Sequence, residues 1–167
     1  MFAFYKKHND KLYNKLVELS RNKFFYRQLK LPDTFETRAV LIFFHLAIIL
    51  KINKKKKGKE TLQIIFDNIF KNIETNIREL SYGDTKVNKT MKSLSKIFYD
   101  ILYNLDKKDF ISFENNSYLI NKYFYVKIEN DRDKTTKLAK YLDEFQNFCF
   151  DLDINSVLNG SLNFKYR

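Results

Sequence analysis

The chain has 167 residues, enough for one domain with a single core, and its 44% apolar and 17% aromatic content excludes disorder over most of its length. Three Gly and one Pro are too few for the turns of a β-sandwich or barrel, so we predict an all-α domain of about six helices over residues 1–160 and a flexible tail, 161–167. The formal charge of +11 indicates either an anionic partner or the codon bias of a composition with 25 Lys and 6 Arg.

The first predicted helix covers residues 4–20, where apolar side chains recur at helical spacing. A short second helix around Phe24 and Phe25 should end before Pro32, because a proline disfavours the helical conformation in the residue that precedes it. The first residues lack the charged-then-apolar order of a secretion signal.

The third predicted helix runs from Asp33 to about Ile52. Asp33 and Glu36 have the spacing of an N-cap and the N3 residue of a capping box. The helix is apolar nearly all round, so we expect it at the centre of the fold. Its apolar run, residues 39–50, is shorter than the roughly 20 residues of a membrane span. We therefore expect a cytoplasmic protein whose only membrane contact is peripheral, at its surface.

His45, inside this apolar helix, is open to two interpretations. It is either a core histidine whose nitrogens are satisfied by a side chain or a carbonyl, or a polar contact in a groove that meets a partner. Cys149 is the only cysteine and lies between Phe148 and Phe150, which predicts a buried structural thiol. No metal-ligand spacing, phosphate loop or nucleophile motif occurs, so we expect no catalytic residue, metal, cofactor, small-molecule substrate or enzymatic activity.

Two long amphipathic helices follow a basic loop, residues 51–59. The first carries an apolar stripe from Leu62 to Leu80, and the second carries one from Val87 to Leu105. Their short connection predicts an antiparallel pair of neighbours.

The corner between these helices contains Gly83 and Asp84. We predict that Gly83 adopts the left-handed conformation that ends a helix and that Asp84 is the N-cap of the next one. Basic residues crowd the first turns after the corner, where the helix dipole does not favour them. We therefore predict that Lys86, Lys89 and Lys92, together with Arg78, belong to a surface that faces a partner.

The remainder of the chain is less regular. Residues 110–125 give no clear pattern, and residues 123–126 fit either an extended segment or a helix end. A last long helix should start after Asn130-Asp131, and Asn159-Gly160 should end the ordered part.

A series of short motifs, in order along the chain, resembles the ubiquinol–cytochrome c chaperone family. No single motif is specific, but their order and spacing are those of the family. Ser81 and Tyr82 depart from it, since the family prefers a Gly-Val type pair there. The matching positions are Ser20-Arg21, Phe25-Tyr26, Leu31-Pro32-Asp33-Thr34 with Arg38, His45, Phe66-Asp67, Arg78-Glu79, Gly83-Asp84, Val87, Lys89, Met91, Lys92 and Phe98-Tyr99.

This resemblance implies a helical, non-catalytic assembly factor for the cytochrome bc1 complex, respiratory complex III. Its client would be nascent or newly inserted cytochrome b, and its further partners would be a small helical co-chaperone, the ribosome or an anionic membrane surface. Mitochondrial relatives carry an import extension that this chain lacks, so we expect the compact bacterial form. The resemblance also implies a set of partner-binding residues: Pro32, Asp33, Arg38, His45, Arg78, Glu79, Gly83, Asp84, Lys86, Lys89 and Lys92.

Two other classes of function predict different features of the structure. A ribosome- or nucleic-acid-binding helical protein should gather Lys and Arg on one face, with aromatic side chains placed to stack on bases. An enzyme should show a pocket with convergent polar groups.

Overall fold

A computed structural model of the chain describes residues 10–124 and 131–166. Within these ranges there are α-helices and one π-helical turn but no strand, which confirms the all-α class. In chain order they are α1 (Lys11–Ser20), the π-helical turn (Phe24–Gln28), α2 (Phe35–Asn53), α3 (Lys59–Glu79), α4 (Asp84–Leu105), α5 (Tyr118–Phe124), α6 (Arg132–Phe150) and α7 (Ile154–Leu158).

Helix α2 is the centre of the fold and packs against α1, α4 and α6. Every residue from Ala39 to Leu50 is buried, which fits a helix that is apolar all round. On one side Phe43 stacks on Phe70 of α3, and on another Phe44 contacts Phe113. Helices α1, α3, α4 and α6 are amphipathic, and their buried side chains belong to the same core as those of α2, whereas the short helices α5 and α7 pack on α6 and α1.

The start of α2 differs from the prediction. Thr34, and not Asp33, is the N-cap, and its hydroxyl accepts a hydrogen bond from the backbone N–H of Thr37 at 3.2 Å. Asp33 instead forms an ion pair with Arg38, Oδ1 to Nε 3.0 Å. Thr34 can cap the free N–H groups at the start of the helix as well as Asp33 could. The carboxylate of Asp33 is therefore available to pair with Arg38.

Helix α1 begins at Lys11, and Asp10 caps it by accepting from the backbone N–H of Tyr13 at 2.7 Å. The predicted helical part before residue 10 lies outside the described residues. The basic loop is shorter than expected, since α2 continues to Asn53 and α3 starts at Lys59. Within the loop, Lys56 donates to the backbone carbonyl of Phe150 at 2.9 Å.

Helices α3 and α4 pack on each other along their apolar stripes. Phe66, near the start of α3, lies 5.3 Å from Phe98 and 5.5 Å from Tyr99, near the end of α4, ring centre to ring centre. The corner joins the opposite ends of the two helices, so these contacts are those of an antiparallel pair. The stripe of α4 is buried at Val87, Leu94, Phe98, Ile101 and Leu105.

The segment between α4 and α5 is held by one side chain from a distant helix. The carboxylate of Asp143 accepts hydrogen bonds from the backbone N–H groups of Phe113 at 2.7 Å and Glu114 at 2.9 Å. Helix α5 ends at Phe124, so the chain is helical over the first two residues of the ambiguous stretch 123–126, whose other two lie outside the described residues.

The flexibility of the segment after Gly160 stays a prediction, and the structure shows how its side chains pack. Leu162 is fully buried, and the ring of Phe164 lies 5.3 Å from that of Phe145. Tyr166 packs on Phe24 at 4.7 Å. These apolar residues pack on α6 and on the π-helical turn, and seven residues show too little periodicity for their buried side to be identified from the sequence.

Candidate functional site

The residues assigned from the family resemblance fall in three places. One group lies at the α3–α4 corner and the start of α4, a second lies in the loop before α2, and His45 lies in the core. The corner group comprises Arg78, Glu79, Gly83, Asp84, Lys86, Lys89 and Lys92, and the loop group comprises Pro32 and Asp33 of the loop together with Arg38 in the first turn of α2.

Arg78 spans the corner. Its guanidinium donates to Glu74 within α3 at 2.8 Å and to Asp84, the first residue of α4, at 2.6 Å. These hydrogen bonds, the one to Glu74 first, raise the pKa of Arg78 above its usual range. All of the groups are exposed, so the contacts orient the corner more than they stabilise the fold. Glu79, next in sequence, is exposed as well.

The backbone of the corner differs from the prediction. Ser81 has a φ of 62° and is the left-handed residue, whereas Gly83 has a φ of −64° and is the N-cap of α4. Asp84 is therefore not the N-cap but the first helical residue, and no side chain caps this helix. The left-handed residue is Ser81 and not Gly83, two positions later, because α3 already ends at Glu79 and the left-handed residue follows directly after the helix end.

The three lysines of the corner group do not have the same surroundings. The Nζ atom of Lys86 lies 3.9 Å from the centre of the Tyr82 ring, in a cation–π contact. Lys89 and Lys92 are exposed, and in the ranges that the structure describes neither has an ion-pair partner. Lys86 is thus tied to the corner, while the other two point to solvent.

The loop before α2 is a local structural cluster. The phenol of Tyr26 donates to the backbone carbonyl of Ser20 at 2.6 Å. Its pKa is raised to about 12, first by burial and then by the nearby carboxylate of Asp33. Arg38 is half-buried beside this group and pairs with Asp33, while Pro32 is exposed. The contacts fix how the chain enters α2.

His45 is fully buried, as the core interpretation requires. Its Nδ1 atom lies 2.6 Å from the carbonyl oxygen of Leu41, and its Nε2 atom lies 2.8 Å from the hydroxyl of Tyr141. In this arrangement the imidazole presents no atom to a partner. Cys149 is buried too, and burial raises the pKa of its thiol to about 12, which keeps it protonated and unreactive.

An aromatic groove between the ends of α2, α3 and α4 was not among the assigned residues. Its apolar wall includes Phe66, Phe98 and Tyr99, and its volume is about 260 Å³. Lysines lie at its edge, of which Lys54 pairs with Asp106. The remaining lining residues are Leu50, Lys51, Lys59, Leu62, Gln63 and Leu102.

A signal for this groove was present in the sequence. Phe66-Asp67 and Phe98-Tyr99 are both among the motifs of the family resemblance, but they are 32 residues apart and lie on different helices. The antiparallel packing of α3 on α4 brings the two motifs together, which spacing along one helix could not reveal.

The outer face of α4 carries a second exposed patch, which we call the lysine–tyrosine face: Lys89, Lys92, Lys96, Tyr99 and Tyr103. Tyr99 is 54% exposed and Tyr103 is 68% exposed. The face lies opposite the buried stripe of α4, and Tyr99 joins it to the aromatic groove.

Two other kinds of feature are absent from the described parts of the chain. No cluster of His, Cys, Asp and Glu there could hold a metal ion. Among the same residues, none of the helices combines the length and the apolar character that crossing a membrane requires.

A comparison with known protein families places most of the chain in one of them. The model of a family described as ubiquinol-cytochrome C chaperone matches residues 27–164, most of the 167-residue chain. The matched range contains the corner, the loop before α2, the aromatic groove and the lysine–tyrosine face. Neither the curated proteins nor the solved structures contain a match.

Proposed function

Because the chain belongs to the ubiquinol–cytochrome c chaperone family, we propose that it binds newly made cytochrome b and assists assembly of the cytochrome bc1 complex. The observation that carries this proposal is the family match over residues 27–164. The protein would hold its client without catalysing a reaction, since protection from aggregation requires a reversible contact and no reactive group.

The aromatic groove supports such a contact. A newly made membrane protein exposes apolar side chains, and a chaperone can shelter them only with apolar surface of its own. At about 260 Å³ the groove is slightly smaller than the roughly 300–1,000 Å³ of sites for drug-sized ligands, which suits one or two client side chains. A contact of this size gives a weak grip that the client can leave.

The corner group would contact the further partners of the protein. Lys89 and Lys92 are exposed and lie where the helix dipole does not stabilise them, so a role outside folding fits them better. We propose that they and the Arg78 corner meet a helical co-chaperone, the ribosome or the membrane, and that the protein works at the cytoplasmic side of the membrane that receives cytochrome b. His45, which is buried, and Arg38, which holds a loop, support these surfaces indirectly.

Deleting the gene tests this function. Cytochrome b protein and bc1 activity should fall, while the cytochrome b messenger and an unrelated terminal oxidase stay at normal levels. Normal bc1 content in the deletion strain, under growth conditions that need the complex, would refute the assembly role.

A photocrosslinking experiment tests the groove itself. A photoreactive amino acid at Gln63, an exposed residue of the groove, should crosslink to cytochrome b in native membranes. The same substitution at Asn147, exposed on α6, serves as the matched control and should not. Equal crosslinking at both positions would mean that the groove is not the client site.

The alternative is a basic protein that binds nucleic acid or the ribosome. One observation favours it: the lysine–tyrosine face places lysines and two exposed tyrosines together on one helix, and such a protein uses cations beside aromatic rings. If the deletion strain retains normal bc1 content, this alternative becomes the better account.

A further inference from the structure

We propose that the lysine–tyrosine face of α4 is the surface by which this protein lies on an anionic lipid membrane. The five residues of this face, defined above, follow one another at steps of three and four along the helix. At 3.6 residues per turn they fall within an arc of about 80° and span about 21 Å. They therefore form a straight, nearly planar strip of side chains on a rigid helix.

Unlike the face, the acidic residues of α4 are already neutralised. Asp84 pairs with Arg78 across the corner, and Asp106, the C-cap, pairs with Lys54. Asp100 pairs with Lys122 of α5 at 2.8 Å and also accepts from the phenol of Tyr123. Each of these carboxylates is thus bound to a residue of another element.

The lysines of the face have no such partners. Over residues 10–124 and 131–166, no ion pair involves Lys89, Lys92 or Lys96. The lysine–tyrosine face of α4 therefore carries three positive charges that no carboxylate neutralises. Lysines near an anionic leaflet each strengthen binding about five-fold, so three of them give a useful but reversible attachment.

The two tyrosines complete a pattern that suits a membrane interface. Their rings are apolar and their hydroxyls polar, so they are stable where lipid chains meet head groups. Tyr103 is open to solvent on its outer side, and the Nζ atom of Lys107 lies 5.1 Å from the centre of its ring. A basic half followed by an aromatic half would let the strip lie flat, with the lysines on phosphates and the tyrosines dipping between them.

A nucleic acid fits this face less well. Single-stranded binders track the backbone in a cationic groove and favour arginine, whose planar fork stacks and binds phosphate with two hydrogen bonds. Here the cations are all lysines, and they stand on the outside of a helix. A flat, diffuse anionic surface demands neither a groove nor a directional contact.

This inference rests on the proposed work of the protein at the membrane, but its test needs no client. The natural chain has no tryptophan, so Tyr103→Trp provides a single fluorescent reporter on the face. Vesicles that contain phosphatidylglycerol should shift its emission to the blue, and vesicles of phosphatidylcholine alone should not. Asn147→Trp, also exposed but on α6, where Asp143 and Glu144 precede it by one helical turn, is the matched reporter and should not shift.

Charge variants show whether vesicle binding depends on the lysine–tyrosine face or only on the net charge of the protein. Replacing Lys89, Lys92 and Lys96 by Gln should weaken binding to the phosphatidylglycerol vesicles by at least about ten-fold. A control that removes the same charge elsewhere replaces Lys23, Lys140 and Lys165, all exposed, and should weaken it less than about three-fold. Equal losses in the two variants would overturn the inference.

A polyuridine RNA, added to the same reporter, tests whether the face binds nucleic acid instead. If the Tyr103→Trp reporter responds to the RNA but not to the vesicles, the face is a nucleic-acid site and the membrane assignment is wrong. Absent vesicle binding together with a bc1 defect in the deletion strain would reject this inference and leave the assembly function standing.

Discussion

His45 and Tyr141 are 96 residues apart in the chain, and their Nε2 and hydroxyl oxygen atoms lie 2.8 Å apart in the core. The Leu41 carbonyl can only accept, so the proton of the neutral ring is on Nδ1 and Nε2 accepts from the tyrosine hydroxyl. This one hydrogen bond joins the central helix α2 to α6. It also gives a partner to Nε2, the ring nitrogen that makes no hydrogen bond to the backbone.

Removing the hydroxyl should show what this pair contributes. Tyr141→Phe keeps the ring, which packs on Phe24 and Phe25, but leaves a buried nitrogen without a donor. We expect the free energy of unfolding in urea to fall by about 1–2 kcal/mol. Tyr103→Phe, which removes an exposed hydroxyl, is the control and should change it by less than about 0.5 kcal/mol. Equal effects would mean that the hydrogen bond does not form in solution.

The buried imidazole should make stability depend on pH. Burial lowers the pKa of His45 from 6.5 to about 4, so between these values the unfolded chain binds a proton that the folded protein does not. The contribution of His45 is therefore fully present above pH 6.5 and is lost as the pH falls towards 4, by up to about 3 kcal/mol.

A double variant isolates this contribution from that of the carboxylates. His45→Leu combined with Tyr141→Phe removes both polar groups at once, so no buried atom is left without a partner. Urea unfolding followed from pH 7 to pH 4 should show a smaller loss of stability for this variant. Parallel curves for the two proteins would contradict the assignment of a depressed pKa to His45.

The corner should respond to substitution at residue 81 and not at residue 83. Ser81 is in the left-handed region, at a position where the family resemblance favours glycine. Ser81→Gly should stabilise the protein by about 0.5–1 kcal/mol, and Ser81→Val should destabilise it by about 1–2 kcal/mol, because a branched side chain is strained there.

Gly83→Ser is the matched variant for the same corner. A Cβ atom at Gly83 meets nothing within 4 Å, and serine is a good N-cap, so we expect a gain of a few tenths of a kcal/mol. Thermal unfolding of the three variants would decide the matter. A clear loss with Gly83→Ser would show that the left-handed residue is Gly83 after all.

The lysines of the corner group should matter for association and not for stability. Replacing Lys86, Lys89 and Lys92 by Gln removes one cation–π contact, but it also removes the charge of Lys86 from the first turn of α4, where the helix dipole disfavours a cation. We expect the melting temperature to change by less than about 2 °C. Retention by native membranes should weaken, more so at low salt, where charges act over longer distances.

The triple replacement at Lys23, Lys140 and Lys165 is again the control for net charge. If the corner variant associates as well as the natural protein, its lysines reflect composition and the surface assignment fails.

Helical periodicity was enough to predict the class of the fold and most of its helices. The apolar stripes from Leu62 and from Val87 became α3 and α4, and the continuous apolar run became the buried centre of α2. These features depend on spacing within one helix, which a sequence displays directly. The short helices α5 and α7 were missed, since five to seven residues carry too little of the pattern.

Features that depend on one or two backbone angles were predicted less well. Glycine and aspartate suit a corner, and a corner exists, but Ser81 takes the left-handed position and Gly83 takes the N-cap. Likewise Thr34 caps α2 in place of Asp33. Neighbouring residues of similar propensity compete for such positions, and the tertiary packing of the flanking helices selects among them.

The sequence alone determined that this is an all-α chain of a chaperone family, because both follow from residues read in order. Only the tertiary structure decided which residues share a surface. It buried His45 against Tyr141, brought Phe66 to Tyr99 in one groove, and packed Phe164 of the expected loose tail against Phe145. Such contacts join distant segments, and they are set by how apolar faces from the whole chain fit together in one core.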